Sequence, residues 1–205
     1  MDREATGYPM RPMLWSVLDS RKTRRQIRGA MEDALRYPIG RYVRRATPYS
    51  ARERDEHIGR LERLPARLAE VLHGMPEAAW ERPYRPGGWS IGQLVHHVAD
   101  SHSQALIRLK LGLTEEAPTI KAYDQDAWVT LPDVLTVSPL VSVALLEGTH
   151  RKMTAILRAM VPEQFARLFV HPENGPTTLD QLAALYAWHG DHHLAQLTTA
   201  RASFA

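Results

Sequence analysis

The 205-residue chain contains no cysteine, which removes thiolate metal ligands, a disulfide framework and a cysteine nucleophile together. Any thiol chemistry must borrow its sulfur from another molecule, and this usage fits a reducing cytoplasm. Charge of one sign is also scarce: with ten histidines counted neutral, the formal charge is +3. Basic density peaks at Arg21 to Arg28 and around Arg41, Arg44 and Arg45, which read as solvated faces, so no nucleic-acid partner is expected. No apolar run approaches the roughly 20 residues of a membrane span, and the N-terminus lacks a signal-peptide core. The expectation is a cytoplasmic protein without a membrane partner. Strand-like alternation is nearly absent too.

What remains is a chain punctuated by helix signals. Its length suits one domain of about 150 residues plus an extension, large enough to bury about two-thirds of its unfolded surface. Residues 1–36 are rich in Met and Arg, carry Pro9 and Pro12 and hold one weakly amphipathic stretch from Trp15 to Leu35. They read as a dispensable appendage to a domain over 37–205, either a docking helix or the product of an early start codon with Met31 as a later one. Ser50-Ala-Arg-Glu53, Ser90-Ile-Gly-Gln93 and Thr178-Leu-Asp-Gln181 are capping boxes, each satisfying orphan N–H groups at a helix start. Ser138 followed by Pro139 is an N-cap with proline at N1. Four long amphipathic helices follow, with Pro65 a kink in the first. The expected fold is all-α, a four-helix bundle with long connecting loops. The connection from Thr114 to Val137 exceeds what a bundle turn needs, and reads equally as a cap on the bundle end or a lid over a substrate.

The last helix carries the chemistry. In Ala187-Trp-His-Gly-Asp-His-His-Leu-Ala-Gln-Leu197, His189 and His193 stand four apart, so their Cβ atoms lie roughly 5–6 Å apart on one stripe. That stripe is shared with Leu182, Tyr186, Leu197 and Ala200, so the pair faces inward, while His192 points aside. Two inward imidazoles at this spacing can address one ion, and a third histidine from another helix would complete an open site. The second helix offers His96, His97 and His102. His96 points off the apolar arc, and periodicity ranks His97 and His102 level.

Several separated motifs lead further: Tyr37-Pro-Ile-Gly40, Tyr84-Arg-Pro-Gly-Gly-Trp-Ser90, His96-His-Val-Ala-Asp-Ser-His102, Leu113-Thr-Glu-Glu116 and Trp188-His-Gly-Asp-His-His193. In this order, from about Tyr37 to Thr199, they closely resemble the YfiT branch of the DinB-like bundle superfamily. The resemblance implies one divalent ion, zinc or nickel, held by His97, His189 and His193. It departs from the family at Asp191, often another His, and in residues 1–36, which have no counterpart.

Three neutral imidazoles leave at least one position open, whereas structural zinc sites are closed by four protein ligands. A bound divalent ion can bring a water's pKa down from 15.7 towards roughly 7, and it deprotonates a coordinating thiol. No Glu follows His189, so a His-Glu-x-x-His protease is excluded. Glu147-Gly-Thr-His150 is a single Glu-x-x-His, which fits a di-iron carboxylate bundle badly. Glu147, His150 and Asp100, with His102, are expected as supporting or proton-transfer groups around the ion. The resemblance implies a metal-dependent hydrolase of a small-molecule substrate. The alternatives are an S-transferase using a low-molecular-weight thiol on the same site, as wider relatives do, and a non-enzymatic metal-stabilised interaction module. A homodimer is expected on general grounds.

Overall fold

The computed structural model describes residues 20–45 and 48–204. In chain order it contains α1 (Ser20–Arg36), α2 (Ala51–Leu72), α3 (Glu77–Trp80), α4 (Ile91–Thr114), α5 (Gln125–Trp128), α6 (Pro132–Thr136), α7 (Pro139–Ala159), α8 (Pro162–Phe165), β1 (Leu168–His171), β2 (Gly175–Thr178) and α9 (Leu179–Ala202). Of the extension expected over 1–36, residues 1–19 lie outside the described residues. The rest is α1, exposed over most of residues 23–36.

The long helices start where their capping residues stand. Ser50 Oγ accepts from Glu53 N while a Glu53 carboxylate oxygen accepts from Ser50 N at 2.8 Å. Ser90 and Gln93 do the same for α4, and Thr178 and Gln181 for α9. Ser138 Oγ caps α7 ahead of Pro139. Each such cap contributes about 1 kcal/mol. Helix α2 runs on through Pro65.

These four helices form the bundle. Helix α2 packs on α9 and α7, and α4 packs on α7 and α9, so α2 and α4 stand on opposite corners. A Cβ at Gly190 would collide with the Leu64 side chain, so glycine lets α9 and α2 approach closely there. Further along, Arg54 forks onto Asp180 with bonds of 2.9 and 2.8 Å, and Tyr49 N donates to the same carboxylate. The apolar interior comes in two halves. One gathers Ile58, Leu61, Leu109, Met153, Leu157 and Leu182; the other gathers Leu64, Leu68, Leu94, Val98, Leu146 and Leu197. Between them, at the level of His102, His150, His189 and His193, the helices present imidazoles.

A two-stranded hairpin precedes α9, with Leu168 opposite Thr178 and His171 opposite Gly175. The sequence pattern did not reveal it, because four-residue strands offer only two positions per face. Val170 also binds the connection after α4, through its N–H to Pro118 O and its carbonyl to Ile120 N. That connection folds into α5 and α6, with Asp124 capping α5. It is tied to α4 by Gln93 Nε2 donating to Val129 O. No helix among the described residues is long and apolar enough to cross a membrane.

Candidate metal centre

His97 projects from the second turn of α4, and His189 and His193 from successive turns of α9. One ring nitrogen from each lies within 4.8 Å of the other two. His97 and His193 are buried and His189 is half-buried. Desolvation holds the His97 imidazolium at a pKa of about 4. Burial, and then the neighbouring imidazoles, push His189 and His193 well below the ordinary histidine value. All three rings are therefore neutral at pH 7, each with one lone pair to offer.

Which nitrogen carries the proton follows from a line of hydrogen bonds through all four helices. His150 Nδ1 stands 2.6 Å from Leu61 O; a carbonyl only accepts, so Nδ1 is protonated and His150 Nε2 is an acceptor. His102 Nδ1 therefore donates to it, at 2.8 Å. His102 Nε2 is left as an acceptor, and His189 Nδ1 donates to that at 3.1 Å. The line ends with a bare lone pair on His189 Nε2. Leu61 O has no helical donor of its own, because the residue four further on is Pro65, which has no N–H to complete that bond, so His150 has the oxygen to itself.

A second, shorter line fixes His193. Gln196 Nε2 donates to Arg36 O at 2.8 Å, which turns its amide oxygen towards His193 Nδ1, also 2.8 Å away. That nitrogen is the donor, and His193 Nε2 is bare as well. Yet the two Nε2 atoms stand 3.1 Å apart. Two lone pairs facing each other at that distance repel, and no proton is available to bridge them. A Lewis acid resolves the contact: two ligands on a tetrahedral zinc, at about 2.0–2.1 Å each, stand about 3.3–3.4 Å apart. The donor set fits a divalent cation.

Two cavities meet at His189. One, of about 400 Å³, is walled by Trp89, Tyr84, Trp188, His192, Gln125 and all three histidines. Another, of about 710 Å³, reaches His189 from the side of Ser101, Arg108, Tyr123 and His171. A cavity of about 730 Å³ near Trp80 and Val134 has no histidine in its wall.

The sequence pattern of the DinB superfamily matches residues 60–197. The Bacillus subtilis (strain 168) protein named "Putative metal-dependent hydrolase YfiT" is 44% identical over 165 residues, which cover 80% of this chain and 92% of that protein. A Bacillus cereus (strain 03BB102) protein named "Putative metal-dependent hydrolase" is 42% identical over 168 residues, covering 82% and 95%. The chain belongs to the DinB superfamily. The solved structure of YfiT from Bacillus subtilis, described as a probable metal-dependent hydrolase with an unusual four-helix bundle topology, superposes with a TM-score of 0.80. There the identity is 42%, with 83% of this chain and 98% of that one covered. The four-helix bundle protein TT2238 shares the fold at 24% identity and a TM-score of 0.50, over 69% of this chain and 94% of that one.

Around this DinB-type core the other sequence candidates scatter. His150 enters the histidine layer through His102. Glu147 does not: it is exposed on α7 and lines an outer groove with Glu62, Arg151 and His150. Asp100 is half-buried on α4 and makes no hydrogen bond within the histidine layer; burial, then nearby Asp133, raise its carboxyl to about 6. His96 is occupied elsewhere, accepting from Ser142 Oγ at 2.7 Å and donating to Val137 O at 3.2 Å. His192 stacks on Trp188 with centroids 4.7 Å apart and accepts from Gln196. Asp191, the family departure, faces α2 and takes Arg60 and Arg67 at 2.7 and 2.9 Å. The sequence reading missed Gln196, although its signal was present: it follows His193 by three residues on the same helix face. The Thr114–Val137 connection supplies Gln125 and Asp126 to the cavity over the histidines.

Proposed function

We propose that this chain is a metal-dependent hydrolase of a small molecule, in which His97, His189 and His193 hold one divalent ion, zinc or nickel. The observation that carries the reading is the pair of bare Nε2 lone pairs 3.1 Å apart, each fixed by its own hydrogen-bonded line. The names borne by the 42–44% identical relatives support it. An ion here supplies Lewis acidity, enough to bring a coordinated water's pKa from about 15.7 towards about 7. The chain's own residues do the rest. His102 and Gln196 hold the two α9 ligands in one tautomer and orientation. Trp89, Tyr84 and Trp188 wall the approach with aromatic rings, which restricts water around the reacting group.

The test is a metal-stripped and reloaded protein assayed on ester and amide panels, with and without added small thiols. About one divalent ion per chain is expected, lost in His97→Ala, His189→Ala and His193→Ala. Hydrolysis should vanish on stripping and return on reloading. Turnover that needs an added thiol and an electrophile would replace the hydrolase with an S-transferase, since a cysteine-free chain has no sulfur nucleophile of its own. A properly loaded protein inactive in every arm would favour a metal-stabilised interaction module.

A further inference from the structure

Arg108 on α4 is 8% exposed, yet it has no carboxylate partner among the described residues. Half-buried Arg54, by contrast, is forked onto Asp180. Arg108 instead donates one bond, from Nη1 to Tyr186 Oη at 3.1 Å. Its Nε is buried without any partner. Its Nη2 has none either, and it is not sealed as Nε is. A desolvated guanidinium left unpaired is costly, and such charges are ordinarily paired.

The residue lines the same cavity of about 710 Å³ that reaches His189. Tyr186, its one partner, precedes His189 by three residues, about 4.5 Å of helix rise, and the two rings lie 5.8 Å apart. The acidic residues in the cavity wall do not neutralise the cation: Asp124 Oδ1 accepts the α5 N–H groups of Asp126 and Ala127, and Glu173 is exposed with no bond to Arg108. His171, also in the wall, accepts from Glu173 N at Nδ1, which leaves Nε2–H as a donor. Tyr123, Ala122 and Leu185 supply apolar surface beside them.

We infer that Arg108 anchors a carboxylate of the substrate, so that the molecule lies along the cavity with its reacting group at His189. One cation in a partly apolar wall matches a singly charged carboxylate better than a doubly charged phosphate, and a guanidinium edge pairs with a planar carboxylate through two parallel bonds. The inference rests on the hydrolase reading for the reacting end, and on Arg108 alone for the anchored end.

Binding and turnover are therefore read separately. Metal-loaded full-length protein is titrated calorimetrically with butyrate, butyramide and butylphosphonate, and assayed on the monomethyl and dimethyl esters of a short dicarboxylic acid. Wild type should bind butyrate at least tenfold more tightly than butyramide and no more weakly than butylphosphonate, and should prefer the monoester in kcat/KM. Arg108→Gln should lose at least tenfold in butyrate binding and most of that preference. Arg108→Lys should fall between, with metal content unchanged in both. Equal binding of butyrate and butyramide, or butyrate binding that survives in Arg108→Gln, overturns the anchor; the latter would place the carboxylate on the ion. Tighter binding of the phosphonate overturns the carboxylate assignment. Arg108-dependent butyrate binding without any ester turnover leaves the anchor standing and removes the hydrolase.

Discussion

Replacing His102 with phenylalanine tests the proton order in the histidine layer. The ring is fully buried and bridges His150 Nε2 and His189 Nδ1. A phenyl group of similar shape leaves an acceptor on His150 and a donor on His189 unpaired between two apolar half-cores. Each orphan costs about 1–3 kcal/mol, so the metal-free protein should lose about 2–6 kcal/mol, less what the phenyl ring regains by burial. Released from its acceptor, His189 can place its proton on Nε2, where the ion would bind. Loss of such a supporting bond lowers metal affinity by about 10–100-fold, or about 1.4–2.7 kcal/mol. Chelator competition measures the affinity, and nitrogen-15 NMR of the imidazoles reads the tautomers. His150→Phe should destabilise comparably but cost less affinity, because His102 still faces His189. Affinity within twofold of wild type in His102→Phe, or a wild-type metal-free His189 carrying its proton on Nε2, would refute the reasoning.

Four further outcomes are expected. His97, His150 and His192 are held at about 4 by burial, and His102, His189 and His193 well below the ordinary value. They are neutral when folded and protonate when unfolded, so their stability contribution is present above about pH 6.5 and drains as pH falls towards 4, by up to about 1.4 kcal/mol per pH unit per ring; a Tm of metal-free protein that stays flat from pH 7 to 5 would contradict this. Asp100 has the opposite sign: with its carboxyl raised to about 6, ionisation costs stability as pH climbs from about 4 to 6, so Asp100→Asn should stabilise the fold at pH 8 by about 1 kcal/mol after solvent screening, read as a higher Tm, and leave Tm unchanged at pH 4. Trimming residues 1–30 should preserve metal affinity, whereas trimming 1–37 removes the Arg36 carbonyl that orients Gln196 and should weaken it, as isothermal titration would show. Pro65→Ala restores an N–H aimed at Leu61 O, which then serves two donors, so α2 should gain up to about 3 kcal/mol while metal affinity drops by less than in His102→Phe; gains in both would sink the link between them.

Most of the fold was legible because helix starts are local. Ser50, Ser90, Ser138 and Thr178 each announce a helix within four residues, and the structure begins one at every such place. The choice between His97 and His102 was not local. Both face the interior of α4, and which of them stands beside His193 depends on the phase at which α9 packs, a property of two helices at once. His150 could be read only as part of a Glu-x-x-His pattern, since its role is set by a carbonyl on α2. Arg108 was invisible as a buried group, because a charged residue in a helical pattern counts as outward until Tyr186 is seen to cover it.

Pro65 gives the site an unusual genetic address. The oxygen that orients the whole line of protons belongs to the main chain at Leu61, so no side-chain substitution there can delete it. Its undivided use by His150 ends with a change at position 65 that restores an N–H, on a helix that contributes no ligand. Variants drifting at that position would leave every histidine in place, and a ligand count would score them as intact, while the electron pair offered to the ion had become negotiable.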